Sequence, residues 1–355
     1  MHIAAIVVHL PRHSCTVYFL NYPLFDHADV VVVVPQRNAA QFDASEEGIT
    51  LVSTLDIIFQ QLVNGLILGS FYSLVALGYS MVYGIIKLLN FAHGDIYMVG
   101  AFVGLILLGL LSPFLGAGWA GILVAMIISM ILVGLLGVFI QRIAYVPMLS
   151  APRLSILITA LAVSMVLYNF VMSMTSGEYK AFPVDLGYDG LEFGNVFITY
   201  TQIILVSSTA LLMTVLHFFI NKTMLGKAMR AISIDQDACR LMGINVNSII
   251  ALTFFVGSAL ACAAGVMAGV YYGSIHFFMG FLIGLKAFTA AVIGGIGSIP
   301  GAVLGGLILG LLESFGTQLP FIGSEWKDVF AFGILILLLL FKPTGLLGKT
   351  EIERM

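Results

Sequence analysis

Charged residues are scarce in this sequence. Asp, Glu, Lys and Arg make up 9% of its 355 residues, whereas 60% are hydrophobic. A typical soluble protein has about 25% charged and about 45–50% apolar residues. These values, with a mean hydropathy of +1.07, exclude a soluble globular protein and predict an integral membrane protein in contact with the lipid bilayer. The net charge of −3 excludes a strongly basic nucleic-acid binder, so no nucleic acid is expected as a partner.

Cysteine and other chemically reactive side chains are also few. The three cysteines, Cys15, Cys239 and Cys262, are odd in number and lack metal-ligand spacing, which argues against a disulfide framework or a zinc site. His93 and Asp95 alone provide too few ligands for a metal. The Ser, His and Asp residues are not arranged as in an intramembrane enzyme. We therefore expect no catalytic residue, no metal and no cofactor.

Long apolar runs, in contrast, recur along most of the chain. Runs of about 20 residues are long enough as helices for a hydrocarbon core of about 30 Å, whereas barrel strands alternate over about 10 residues. The sequence predicts an all-α, polytopic transmembrane helical bundle of about 8–9 spans with a short cytoplasmic helix between two of them. The spans are expected at 57–83, 91–111, 119–140, 154–176, 200–221, 248–272, 280–297, 300–318 and 327–342. Residues 280–318 alternatively form a re-entrant pair.

Basic residues orient these spans. If the loop 222–247 is cytoplasmic, ten of the fifteen Lys and Arg residues lie on the cytoplasmic side and four on the other, as the positive-inside rule requires. Lys286 then falls inside a span, the acidic loop 177–199 is external, and residues 349–355 form a cytoplasmic tail.

Residues 1–54 differ from the rest of the chain. Their apolar beginning is cut at Pro11 and no Lys or Arg precedes it, which argues against a signal peptide. Residues 30–34 have the composition of a strand. We expect a poorly ordered N-terminal extension, with a mis-assigned translation start as the alternative, followed by one membrane domain over 55–348.

The longest polar interruption in the second half of the chain is the loop 222–247. Ser233 and Gln236 have the S-x-x-Q spacing of a capping box, which predicts a helix that begins at Ile234. Gly243 suits a left-handed C-terminal cap. The expected apolar stripe consists of Ile234, Ala238, Leu241 and Met242, at i, i+4, i+7 and i+8. A helix this short is marginal alone, so the stripe is expected to pack on another surface.

Part of this loop resembles a known motif. Asp237-Ala238-Cys239, followed three residues later by Gly243, is similar to the EAA…G loop of ABC importer permeases, although Asp237 and Cys239 replace the usual Glu and second Ala. The Leu-Pro that often follows is missing. The resemblance implies that this is a cytoplasmic coupling helix, whose stripe docks into a groove on an ATPase subunit, with Asp237 and Arg240 in polar contacts and Gly243 as the turn. The alternative is an interfacial helix in the lipid headgroup layer.

A few polar side chains remain in or beside the spans, where an ionised group costs about 2.5–3.5 kcal/mol at a helix centre. They are Asn64, Asn90, His93, Asp95, Lys286 and Glu313, and they are expected either in a translocation path or in structural roles. His93 and Asp95 are expected near the cytoplasmic boundary, hydrated, with Asn90 or Asp95 capping the second span. Lys286 is expected to snorkel outward or to pair with Glu313, a pair that a charge-reversal swap restoring uptake would support.

Glycines with small-xxx-small spacing occur in several spans, including Gly65 with Gly69 and Gly306 with Gly310. This spacing lets helix backbones approach closely, so it predicts tight packing within one bundle. The glycine density over 294–310 alternatively indicates a broken or flexible helix.

Ordered motifs run through nearly the whole chain. They occupy residues 61–70, 78–86, 90–95, 241–245, 250–254 and 286–302, with Lys327-Asp328-Val329 and Pro343-Thr344-Gly345 near the end. Together they closely resemble the high-affinity branched-chain amino acid permeases of ABC transporters over about 56–355. The chain is similar to the H-type permease of that system.

The resemblance implies a multi-pass permease subunit in the bacterial inner membrane. Its implied partners are a second, M-type permease, two cytoplasmic ABC ATPases and an extracytoplasmic amino-acid-binding protein; a homodimer of permeases is the alternative. The sequence has no G-x-x-x-x-G-K-[ST] phosphate loop, since Pro343 stands where Gly348-Lys349-Thr350 would need the first Gly. ATP hydrolysis is therefore expected of the partners.

The resemblance also suggests the substrates, which are leucine, isoleucine and valine. Urea, short amides or other amino acids are the alternatives within the same importer family. An ion-coupled secondary transporter is an alternative of another class, although the spans offer little mid-membrane acid for a proton relay.

Overall fold

The computed structural model describes residues 4–10, 13–20, 30–35, 54–87, 89–116, 118–148, 151–184, 186, 189–193, 196–318, 326–342 and 344–348. The chain divides into two compact units, Met1–Ser53 and Thr54–Met355.

The first unit contains a three-stranded antiparallel sheet. Its strands are β1 (Ala4–Leu10), β2 (His13–Leu20) and β3 (Val30–Pro35), in the order β1-β2-β3. The strand expected at 30–34 is confirmed as β3, whereas β1 and β2 were not expected. The poor order expected for this extension stays a prediction.

The second unit is a bundle of helices. In chain order they are α1 (Thr54–Ile86), α2 (His93–Leu115), α3 (Trp119–Ile140), α4 (Arg153–Thr175), α5 (Tyr200–Lys222), α6 (Met224–Ile234), α7 (Gln236–Leu241), α8 (Val246–Tyr272), α9 (Met279–Gly294), α10 (Ile299–Gly316) and α11 (Lys327–Phe341). A π-helical turn, Gln141–Tyr145, and a 3-10 turn, Val146–Met148, extend α3. Within the described ranges, seven helices are long and apolar enough to cross a membrane, and α9 is a shorter apolar helix. The prediction of an all-α polytopic bundle is confirmed.

Two small β elements lie between helices. Strand β4 (Lys180–Ala181) pairs with β7 (Ser274–Ile275), and β5 (Gly190–Phe193) forms a hairpin with β6 (Val196–Thr199). Thr199 then begins α5 through a capping box, because its hydroxyl accepts from the Gln202 amide at 3.3 Å while Gln202 Oε1 accepts from the Thr199 amide at 3.1 Å. The predictions from the sequence did not include this cap.

The core of the bundle is built around α1 and α8. Helix α1 is buried along most of its length and packs against α8, α9 and α10, while α2 and α3 pack on α8. Glycine makes the α1–α10 contact close, since a Cβ added to Gly69 would lie 2.8 Å from the Leu307 Cα. The close packing predicted from the glycine spacing is confirmed at this seam. Helices α4 and α5 lie at the periphery and leave most of their apolar faces exposed.

Helices α9 and α10 pack side by side in antiparallel directions. Ser298 caps α10 by accepting from the Gly301 amide at 3.2 Å. At 1.5 Å per residue, the 16 residues of α9 span about 24 Å, less than a hydrocarbon core of about 30 Å. The last carbonyls of α9 accept from the Leu346 and Leu347 amides, which attaches the segment after α11 to this helix end.

Candidate functional site

A cluster of charged side chains is buried between four helices. Lys286 Nζ on α9 lies 2.8 Å from Glu313 Oε1 on α10 and 2.6 Å from Asp328 Oδ1 on α11. The Tyr72 hydroxyl on α1 donates to Glu313 Oε2 at 2.7 Å. Side-chain exposure is 5% for Lys286, 4% for Glu313 and 37% for Asp328. One ammonium group therefore bridges two carboxylates that belong to different helices.

The composition of this cluster explains why it is stable in an apolar bundle. A buried ion pair offsets its desolvation cost only when its geometry is good and additional hydrogen bonds satisfy the charges. Tyr72 supplies such a bond to Glu313, and the second carboxylate, Asp328, reaches solvent. The cluster fixes the start of α11 to α9 and α10.

The predicted pair of Lys286 with Glu313 is confirmed at 2.8 Å. The expected snorkelling of Lys286 is wrong, because its side chain is 5% exposed and its ammonium group pairs with two carboxylates inside the bundle. Asp328 and Tyr72 were missed as members of the cluster. Asp328 stands in the first turn of a predicted span, where a carboxylate is ordinarily explained by the helix dipole.

A second group of polar side chains is buried at the start of α2. The Tyr145 hydroxyl donates to Asn90 Oδ1 at 2.6 Å, and the Ser164 hydroxyl on α4 donates to the Asp95 carboxylate. The N-cap position of α2 is Ala92, and no side chain caps it. Capping by Asn90 or Asp95 was therefore a wrong prediction, since both side chains bond to other parts of the bundle.

The depth of His93 also differs from the prediction. Its ring packs edge-on against Tyr79, with centroids 4.8 Å apart, and it lies beside Gly78 and Gly257. At 1.5 Å per residue, Gly78 is about 12 Å from the end of α1 and Gly257 about 16 Å from the start of α8.

The connection from α1 to α2 therefore returns into the bundle before α2 begins. His93 is 1% and Asp95 2% exposed. The expectation that both are hydrated at the boundary is wrong, because hydropathy places a span along the sequence and contains no information on where the preceding connection runs.

Asn64 belongs to neither group. It is half-buried on α1, with its Oδ1 at 3.5 Å from Gln60 Nε2. Its neighbour Gln61 makes the closer link, because Gln61 Oε1 lies 2.6 Å from the Ser314 hydroxyl on α10. Sequence reasoning missed Gln61, which lies in the first turns of α1, where polar residues are unremarkable.

The polar interruption 222–247 contains two helices where one was predicted. Helix α6 ends at Ile234, the residue at which the predicted helix began. Helix α7 is capped by Asp235, whose Oδ1 accepts from the Asp237 and Ala238 amides at 2.9 Å each. Ser233 instead donates to the Arg230 carbonyl at 2.7 Å. The capping-box prediction was wrong by two residues because Asp235 offers a carboxylate at the position where the chain turns.

The end of α7 has the predicted left-handed turn. Gly243 has a φ of +81°. Its amide donates to the Arg240 carbonyl at 3.1 Å, and the Ile244 amide donates to the Cys239 carbonyl at 3.0 Å. These two bonds form a Schellman motif, in which glycine avoids the Cβ strain of this conformation.

Helix α7 is attached to the bundle on one side and open on the other. Cys239 is buried, and Gln236 Nε2 donates to the Ile85 carbonyl at the end of α1 at 3.2 Å. The four residues of the predicted stripe are exposed, with Ile234, Leu241 and Met242 at 87%, 90% and 82%. The prediction that they share one helix is wrong, because Ile234 ends α6 and the chain is extended at Asp235 before α7 begins. Asp237 and Arg240 form an exposed ion pair at 3.1 Å.

These features define a multi-pass helical membrane protein with a short capped helix, flanked by exposed apolar side chains, between two of its spans. A family model described as the permease component of branched-chain amino acid transport systems matches residues 61–339. The chain belongs to this family, which confirms the resemblance noted from its motifs.

Three relatives show the extent of the similarity. The permease protein BraD of the high-affinity branched-chain amino acid transport system of Pseudomonas aeruginosa is 48% identical over 300 residues, which cover 83% of this chain and 97% of BraD. The corresponding LivH protein of Escherichia coli is 42% identical over 302 residues, with coverage of 83% and 97%. The LivM permease of Salmonella typhimurium is 26% identical over 306 residues, covering 79% of this chain and 68% of LivM.

Proposed function

We propose that this chain is the H-type permease subunit of an ATP-driven importer that carries leucine, isoleucine and valine across the bacterial inner membrane. The observation that supports this most is its similarity to BraD and LivH over 97% of their lengths. Its proposed partners are a LivM-like permease, two cytoplasmic ATPases and an extracytoplasmic binding protein that delivers the amino acid.

The exposed apolar side chains around α7 are the part of this chain proposed to contact the ATPases and to move with them. Ile234 at the end of α6, Leu241 at the end of α7 and Met242 directly after it are all exposed, while α7 itself is attached to the bundle. Such a surface is stabilised by a partner that covers it. Because Gln236 bonds to the end of α1, movement of α7 by the ATPases would be transmitted to the central helix.

The buried polar residues have a structural role in this proposal. Lys286, Glu313, Asn90 and Asp95 all bond to groups from other helices inside the subunit. They therefore hold the bundle together as it moves, and the amino acid passes along other, apolar surfaces of the permease pair.

Reconstitution tests the proposed function. The chain is purified with the proposed second permease and ATPases, placed in lipid vesicles, and assayed for ATP hydrolysis with the binding protein, with and without leucine. We expect hydrolysis and leucine entry to rise with the loaded binding protein. Parallel assays with urea and a short amide define the substrate class. Leucine entry driven by an ion gradient in the absence of ATPases would contradict the proposal and favour a secondary transporter.

Replacing Gly243 with Val is expected to uncouple ATP hydrolysis from transport. No atom lies within 4 Å of a Cβ at this position, so the change acts on the backbone alone, and a left-handed conformation costs an L-residue about 1–2 kcal/mol. Asn tolerates that conformation, which makes Gly243→Asn the matched control. The measurement is leucine transported per ATP in vesicles. Equal leucine transport per ATP in the Val and Asn variants would contradict a role of the Gly243 turn in coupling.

A further inference from the structure

A small cavity lies where the end of α1, the α1–α2 connection, the π-helical turn and α8 meet. Its polar lining consists of Asn90, Gln141 and Tyr145, and its apolar lining comes from α1 and α8. The cavity has a volume of about 10 Å³ for the centre of a water molecule, which is room for a single water.

Two polar atoms in this lining lack a partner among the described residues. Asn90 and Gln141 are each 2% exposed, and neither Asn90 Nδ2 nor Gln141 Oε1 makes a hydrogen bond to protein. The Tyr145 hydroxyl donates to Asn90 Oδ1 at 2.6 Å, so Nδ2 is the unpaired atom of the Asn90 amide. A buried polar atom without a hydrogen bond costs about 1–3 kcal/mol. A ligand that bonds to both atoms would remove this cost.

The local backbone supports this interpretation. Gln141 and Tyr145 belong to a single π-helical turn at the end of α3, and such turns are frequent at functional positions. The two residues are four apart, so their side chains share one face of the turn. The Tyr145 ring also packs on Phe254 of α8, with centroids 5.3 Å apart, which holds the cavity wall in place.

We propose that this cavity is a binding site for one ordered water molecule, which accepts from Asn90 Nδ2 and donates to Gln141 Oε1. The lining residues leave one donor and one acceptor without a protein partner. They include no carboxylate for a cation and no positive charge for an anion, and the volume matches a single water. A neutral ligand with both hydrogen-bonding functions and the size of water fits these conditions.

The position of the water gives it a structural consequence. It links the α1–α2 connection to the end of α3, beside Ile86 at the end of α1. The adjacent carbonyl, that of Ile85, accepts the bond from Gln236 of α7. The water therefore joins two of the elements that meet beside the attachment point of α7, and this arrangement stands independently of the proposed substrate.

A structure of the full-length protein in lipid nanodiscs, bound to an antibody fragment and at a resolution that shows ordered water, tests the site directly. We expect one isolated density peak about 2.7–3.2 Å from both Asn90 Nδ2 and Gln141 Oε1, the range of a hydrogen bond. An empty cavity, or direct contact between the two amides, would overturn the proposal.

A double-mutant cycle provides the energetic test. Asn90→Leu and Gln141→Met are made singly and together with Tyr145 kept, because the phenol that Asn90→Leu leaves unpaired is present in both variants that carry this change and cancels in the cycle. Unfolding in detergent mixtures is expected to show a coupling of about 2- to 160-fold in the equilibrium constant, as for residues in one hydrogen-bond network. The cycle of Gln141→Met with Ser129→Ala is the control, because the Ser129 hydroxyl donates to the Ala125 carbonyl within α3, at 2.7 Å. Additive effects in the first cycle would contradict a shared water.

Discussion

Lys286→Met is expected to reduce the yield of folded protein and to destabilise the bundle by about 3–5 kcal/mol, the cost of leaving a buried charge without its partner. Glu313 would keep only the hydrogen bond from Tyr72, at 4% side-chain exposure. Glu313→Gln is expected to cost less, since Lys286 still has Asp328 at 2.6 Å. Unfolding midpoints in detergent mixtures measure this order.

The matched control for this prediction is Lys180→Met. Lys180 lies 3.0 Å from Glu178, but both side chains are exposed, and a surface pair contributes about 0–1 kcal/mol. Equal losses for Lys286→Met and Lys180→Met would show that the buried cluster does not stabilise the fold.

The charge-reversal test suggested by the sequence has a different expected result once Asp328 is known. K286E/E313K puts the new carboxylate beside Asp328, where Lys286 Nζ now lies at 2.6 Å from its oxygen. Like charges at this distance repel, so the swap is expected not to restore uptake. The apolar and neutral double variant K286M/E313Q removes the uncompensated charge and is expected to recover more folded protein than Lys286→Met.

Gly310→Ala is expected to prevent α1 and α10 from packing and to remove most folded protein. An added Cβ would overlap the backbone of Gly69 and lie 2.6 Å from the Gly65 carbonyl oxygen. Overpacking costs about 1–3 kcal/mol where side chains can move aside, and here the obstacle is backbone on the most buried helix. Size-exclusion profiles and unfolding midpoints of the purified protein measure the effect.

Gly109→Ala is the control for this substitution. Gly109 also lies within a helix, α2, but nothing is within 4 Å of an added Cβ. Ala favours a helix over Gly by about 1 kcal/mol, so this variant is expected to be as stable as the parent or more stable. Similar behaviour of the two variants would mean that the α1–α10 seam is not a close contact.

In the α6–α7 segment, the sequence predicted the turn that ends α7 correctly and the helix start incorrectly. Gly243 was predicted correctly because a left-handed turn depends on the residue that forms it. The helix start was misplaced because Ser233 and Asp235 both qualify as caps, and the choice between them depends on where α6 packs. In the structure, the S-x-x-Q pattern at Ser233 does not form a helix cap, whereas the T-x-x-Q pattern at Thr199 does.

The sequence by itself determined the membrane class, the all-α bundle and the family. Those properties follow from long apolar runs and ordered motifs, which are local features of the chain. For Lys286 the sequence left two alternatives, snorkelling or pairing with Glu313, and the structure decided for the pair.

Only the tertiary structure decided that Asp328 and Tyr72 join that pair, that His93 and Asp95 lie inside the bundle, and that Asn90 and Gln141 face one cavity. These contacts join residues far apart in sequence, and they depend on how helices cross and how a connection returns between them. Hydropathy and spacing describe one segment at a time, so they contain no information on such contacts.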